Sequence, residues 1–273
     1  SRGSYNSIKI SWDKVEDADG YKIYTCKSND GKYTLKSTIE DNNTTNIKIS
    51  GLNTNTTYYY KIRTYKIYNN KNIYGNYSTV VSAKPTLLKP KIKAEVSSYN
   101  SNCISWNEIS GASGYAVYAS TSKDGKYTLK KTISGKCNVS YIDTNLNTNT
   151  TYYYKVRAYR IVGTKKVYSN YSSIVSVKPV LSKISLTVSS TTKKATLKWN
   201  KILGASGYEV YSSTTANGTY KLKKKITTSS TISYADSNLV SGKTYYYKVR
   251  PYRNINGKAV YGSYSTVKSQ KIK

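Results

Sequence analysis

Three nine-residue stretches hold the groups that could do chemistry: TYYYKIRTY at 57–65, TYYYKVRAY at 151–159 and TYYYKVRPY at 244–252. Each interleaves tyrosines with one lysine and one arginine. If each is a β-strand, side chains alternate between faces. One face then receives Tyr59, Lys61, Arg63 and Tyr65 in the first copy. The second gives Tyr153, Lys155, Arg157 and Tyr159, and the third Tyr246, Lys248, Arg250 and Tyr252. Tyr24, Tyr118 and Tyr211 should join them from a neighbouring strand. Such a face suits a shallow binding surface: tyrosine rings stack on sugars, and Lys or Arg meets carboxylate or phosphate. The competing expectation is that Tyr–Tyr and Tyr–Arg pairs merely cover an exposed sheet, at about 0.2–1 kcal/mol each. A binding face would let Arg157 and Tyr159 be replaced by Ala with loss of cell-wall binding and little change in melting temperature.

These stretches sit in a longer repeat. Trp12, Trp106 and Trp199 recur at steps of about 94 residues, a period that is a domain and not a solenoid unit. DGYKIY, SGYAVY and SGYEVY follow at Tyr21, Tyr115 and Tyr208, and NYS, NYS and SYS at Tyr77, Tyr171 and Tyr264. Period-two alternation, as in IKISW at 8–12, predicts short half-buried strands, and frequent turns make an all-β sandwich of each unit. Asp30-Gly31, Asp124-Gly125 and Asn217-Gly218 are expected to supply the positive φ angles of tight hairpins. Boundaries near Pro85 and Pro179 divide the chain into 1–85, 86–179 and 180–273.

With one Trp on the second strand, a Gly-Tyr opening the third and a corner at Leu52–Tyr58, Leu146–Tyr152 and Leu239–Tyr245, each unit resembles a fibronectin type III domain. The third corner keeps only the Leu and the Tyr of that pattern. The resemblance implies an immunoglobulin-like sandwich with Trp12, Trp106, Trp199, Tyr58, Tyr152 and Tyr245 in the core, each corner tyrosine packing its ring and tying its hydroxyl to the backbone. It is strongest to tyrosine-rich versions in surface and secreted proteins of Gram-positive bacteria, clostridia among them. Short proline-bearing linkers at KPTLLKPKI and KPVLSKI predict an elongated rod of three domains.

Catalysis is disfavoured. The chain has no histidine, which removes Ser-His-Asp, Cys-His and H-E-x-x-H chemistry, and no Asp or Glu recurs at an equivalent position in all three units. No glycine-rich phosphate loop is present, and no cofactor is expected. Glu16-Asp17-Ala18-Asp19 offers oxygen ligands for calcium, but its counterparts Ser110–Ser113 and Leu203–Ser206 carry no acid, so a solvated loop is expected and no metal. Cys26, Cys103 and Cys137 occupy unrelated repeat positions. Cys103 and Cys137 share one unit, and a bridge between them needs Cα atoms within about 7 Å.

Charge is the remaining signal. Lys and Arg number 44 against 13 Asp and Glu, a net +31. The imbalance grows along the chain, from 13 against 7 to 14 against 4 to 17 against 2. A polyanion such as teichoic acid or an acidic glycan is the expected partner, by contacts that weaken with salt. Nucleic acid is a distant option, without an OB, RRM or helix-turn-helix signature. No apolar run approaches the ~20 residues of a membrane helix. Methionine is absent, so a segment of a larger polypeptide with flanking domains is expected, and that segment is expected to be monomeric. The Lys-, Asn- and Ile-rich usage suggests AT-rich coding, hence a low-GC bacterium; the resemblance implies the surface or wall of a Gram-positive one. The first expectation is a non-catalytic extracellular spacer and presentation module; the alternative is adhesion to anionic polymers or glycans through the tyrosine-rich faces.

Overall fold

The computed structural model describes residues 2–273. No helix forms among them, and their strands build six antiparallel sheets, two to a sandwich. The first sandwich comprises β1 (Arg2–Ser4), β2 (Ser7–Ser11), β3 (Gly20–Cys26), β4 (Thr34–Ile39), β5 (Asn46–Ile49), β6 (Tyr58–Tyr68), β7 (Lys71–Tyr74) and β8 (Val81–Ala83). Its smaller sheet is ordered β1-β2-β5 and its larger sheet β4-β3-β6-β7, with β8 also paired to β6. The second comprises β9 (Ile92–Ser98), β10 (Ser101–Trp106), β11 (Gly114–Ser120), β12 (Thr128–Ser134), β13 (Ser140–Asp143), β14 (Tyr152–Val162), β15 (Lys165–Tyr168) and β16 (Val175–Val177). The third comprises β17 (Leu186–Thr191), β18 (Lys194–Trp199), β19 (Gly207–Ser213), β20 (Lys221–Ile226), β21 (Ser233–Ser237), β22 (Thr244–Ile255), β23 (Lys258–Tyr261) and β24 (Lys268–Lys271). Both repeat the pairing of the first.

Each core forms where the inward-facing rows of the two sheets meet. In the second sandwich Ile104 and Trp106 from one sheet close on Tyr115, Val117, Tyr154 and Val156 from the other. The tryptophan meets a tyrosine in every copy, edge-on at 5.2 Å for Trp12–Tyr21 and 5.4 Å for Trp199–Tyr208, and tilted at 5.3 Å for Trp106–Tyr115. Trp106 and Trp199 are buried, Trp12 half-buried, and the corner tyrosines Tyr58, Tyr152 and Tyr245 pack against the same cores. Their hydroxyls accept from the backbone N–H five residues back: Asn53 at 3.0 Å, Asn147 at 3.0 Å and Val240 at 3.3 Å.

The preference for tyrosine over phenylalanine follows from such hydroxyls. Tyr115 is fully buried; its hydroxyl accepts from Ile109 N–H at 2.9 Å and donates to the Lys136 carbonyl at 2.9 Å, tying two loops to the core. Tyr21 and Tyr208 do the same for their own loops. Tyr115→Phe keeps the ring and orphans both backbone groups, so the second sandwich should lose about 1–3 kcal/mol. Denaturant melts read by hydrogen exchange would check this, and an unchanged midpoint would contradict the tie.

The turn chemistry differs from expectation. Gly31, Gly125 and Gly218 do not adopt positive φ; they sit in longer loops, where Gly31 N–H donates to the Ser28 carbonyl. A Cβ there would collide with the Cys26, Ser122 or Thr215 side chain, so glycine is kept for space. The two-residue turns with positive φ lie instead at Asn69-Asn70 (46° and 58°), between β6 and β7, and at Asn256-Gly257 (49° and 78°), between β22 and β23.

Candidate functional site

The outer face of each larger sheet carries a stack of alternating rings and cations. In the first sandwich Lys61 Nζ lies 4.6 Å from the Tyr33 ring and 4.0 Å from Tyr77. Arg63 is next, 3.8 Å from Tyr74 and 4.9 Å from Tyr77, with its Nε and Nη2 donating to the Tyr24 hydroxyl at 3.1 and 2.7 Å. The second copy places Lys155 between Tyr127 and Tyr171 at 4.3 and 4.2 Å, and Arg157 against Tyr168 at 3.7 Å, donating to Tyr118 at 2.6 Å. The third places Lys248 between Tyr220 and Tyr264, and Arg250 against Tyr261 at 3.8 Å. Tyr24, Tyr118 and Tyr211 close the stack edge-on against Tyr77, Tyr171 and Tyr264.

Strand alternation therefore places the six expected cations correctly, yet each is already bracketed by tyrosines of its own domain. Tyr77, Tyr171 and Tyr264 are visible in the sequence as repeat landmarks but not as partners of these cations, and Tyr33 and Tyr74, with their copies, carry no signal beyond recurrence at the repeat step, because the contacts are made between different strands and loops.

Tyr65, Tyr159 and Tyr252 are not free rings. Each is buried, at 5%, 2% and 2% exposure, although it lies on the outer side. Each stands opposite a glycine of the adjacent strand, in the pairs Gly20–Tyr65, Gly114–Tyr159 and Gly207–Tyr252. The ring fills the space a side chain would take, and its hydroxyl lies within 3.5, 3.4 and 3.2 Å of the Ile39, Ile133 and Ile226 carbonyls as donor. Tyr59, Tyr153 and Tyr246 are half-buried. The Arg157/Tyr159 double replacement can no longer spare stability, because it removes one buried ring and one hydrogen-bonded cation.

One position in the stack varies: Lys22, Ala116 and Glu209. Glu209 is buried; its Oε2 accepts from Arg250 Nε and Nη2 at 3.0 and 2.7 Å and from Tyr211 at 2.7 Å, while Oε1 accepts from Tyr261 at 3.2 Å. Burial pushes its carboxyl up, but the bonds from Tyr211, Arg250 and Tyr261 outweigh that and hold it below 4.5. A lowered folded value stabilises above the unfolded value, and the gain is lost as pH falls through the folded one. The third sandwich should therefore weaken below pH 4.5 more steeply than its Glu209→Gln variant, by acid titration with domain-resolved hydrogen exchange; identical profiles would contradict this.

A second repeated constellation lies between sandwiches. The Tyr5 ring of the first packs flat on Gly111 of the second, beneath the Arg160 guanidinium at 4.7 Å, whose Nη1 donates to the Gly111 carbonyl at 2.8 Å. Tyr99 of the second repeats this on the third, with Gly204 below and Arg253 at 4.5 Å donating to the Gly204 carbonyl at 2.8 Å. Gly111 and Gly204 have φ of 78° and 80°, and a Cβ on either would enter the tyrosine ring. The linkers between are a single residue. Pro85 O accepts from Asn55 of the first sandwich at 2.8 Å while Leu87 is buried in the second, and Pro179 O and Leu181 do likewise around Val180.

The acidic loop Glu16–Asp19 is used structurally: Asp19 Oδ2 accepts from Ile67 N–H at 2.6 Å. Among the described residues no group of three or more potential ligands could hold a metal ion, and all three cysteines are free.

Residues 1–82 match the fibronectin type III domain family. The fold is three fibronectin type III-like sandwiches in tandem. Exoglucanase B of Cellulomonas fimi is 26% identical over 272 residues, covering 88% of this chain. The chain spans only 22% of that enzyme's length. Among solved structures, the FN1–FN3 domains of chicken CNTN1 align over 99% of this chain and 95% of theirs, at 14% identity and TM-score 0.32. The two-domain segment of chicken tenascin aligns over 67% of this chain and 98% of its own, at 18% and 0.42. Among the described residues of the fibronectin type III-like array no helix is long and apolar enough to cross a membrane.

Proposed function

We propose that the chain is a non-catalytic spacer and presentation module of a larger extracellular bacterial protein, holding three sandwiches in fixed succession. The carrying observation is the Tyr–Gly–Arg joint, built from the same residue types at both junctions beside one-residue linkers. A fold that only needed three independent modules would not require it. The tyrosine stacks support the same reading, since they occupy the cations that a ligand would otherwise meet. The exoglucanase relative, 22% covered, fits a module carried beside a separate catalytic part. Small-angle scattering on the chain alone tests the proposal: the maximum dimension should stay constant with temperature and salt. A profile that needs an ensemble of interdomain angles would overturn it.

A further inference from the structure

The third sandwich carries 17 Lys and Arg and only two acids, Glu209 and Asp236. Both acids are buried, at 4% and 3% exposure. Glu209 is consumed by Arg250, and Asp236 by Lys223 at 3.1 Å and the Tyr247 hydroxyl at 3.0 Å. No acidic side chain therefore reaches the surface of this domain. Its two arginines are also engaged, Arg250 in the stack and Arg253 in the joint, so the cations left in solvent are all lysines.

Two of them, Lys183 and Lys268, line a notch of about 310 Å³ together with Ser185 and Thr266, between the start of β17 and β24. Lys194 and Lys198 lie exposed on β18 of the smaller sheet, whose outward positions are otherwise mostly hydroxyls: Thr187, Ser189 and Thr191 on β17, Thr196 beside the lysines, and Ser233 and Ser237 on β21. Ammonium groups bind phosphate as compact point charges, and the guanidinium fork that would hold a carboxylate or phosphate in a fixed bidentate geometry is missing here. The outward positions of this sheet also carry no aromatic ring on which a base could stack.

We infer that the third sandwich holds a binding site for a flexible polyol- or sugar-phosphate polyanion, with one phosphate seated in the Lys183–Ser185–Thr266–Lys268 notch. The site lies apart from the tyrosine stacks and does not depend on the spacer proposal. In low salt the chain should bind poly(glycerol phosphate), with affinity falling linearly on a logarithmic salt scale.

The test compares three proteins of intact fold, verified by melting: the natural chain, Lys183→Ser/Lys268→Ser, and Lys224→Ser/Lys258→Ser, which loses the same charge from exposed lysines outside the notch. The notch pair should weaken binding about tenfold and the control pair far less. Equal losses from both pairs would reduce the effect to net charge and overturn the site. Absence of binding at about 0.05 M salt, or single-stranded DNA binding as tightly as poly(glycerol phosphate), would overturn the choice of occupant.

Discussion

Arg157→Ala is expected to destabilise the second sandwich by about 2–3 kcal/mol, the sum of a charge-assisted hydrogen bond and ring contacts. The guanidinium lies 3.7 Å from the Tyr168 ring, 4.9 Å from Tyr171 and 5.2 Å from Tyr118, whose hydroxyl it binds at 2.6 Å. Its removal leaves that hydroxyl without its cation and separates three rings that pack against it. For a domain of about 90 residues the loss corresponds to a drop of roughly 10 °C or more in melting temperature. Arg157→Lys should recover only part of it, since a lysine keeps the charge but not the planar group that lies against Tyr168 while binding Tyr118. Domain-resolved hydrogen exchange would read the effect. A variant with unchanged protection would show that the stack contributes nothing to stability and would reopen the face as a ligand surface.

Tyr99→Ala is expected to leave the three sandwiches folded while uncoupling the second from the third. The ring lies between Gly204 and Arg253 and belongs to the packing of the third core's end, so the third domain should lose about 1–3 kcal/mol. The larger effect is on orientation, because the ring that seats the second sandwich on Gly204 of the third is then gone while the linker between them is the single residue Val180. The reciprocal change, Arg253→Ala, should loosen the same junction less, since the tyrosine keeps its seat on Gly204. Methyl or amide shifts confined to residues around Gly204 would mark a local effect; altered tumbling of the whole third domain would mark lost coupling.

The fold was largely legible because its signals are local or periodic. Alternation in IKISW, the Gly-Tyr pairs and the corner tyrosines are set by the chain itself, and the strand parity that puts Lys155 and Arg157 on the outer face leaves Tyr154, Val156 and Ala158 to the inner one, where they are buried. Parity failed for Tyr159 because it cannot see across strands: an outward ring is buried when its neighbour is Gly114. The partners of the cations were hidden for the same reason, Tyr127 being on a loop before β12 and Tyr171 on one after β15. The joints were harder still. Tyr5 and Tyr99 recur in two copies but give way to Thr192 in the third, while Gly111 and Gly204 stand where the first copy has Asp17. A feature made between repeats has one fewer instance than the repeats, which masks it in any search for residues common to all three.

Fixed succession of the three sandwiches is the central claim, and amide ¹⁵N relaxation on the intact chain tests it most directly. All three domains should report one anisotropic rotational diffusion tensor, and the Tyr5→Ala/Tyr99→Ala variant should split it into separate, faster tumbling units. Independent tumbling of the domains in the unaltered chain would contradict it.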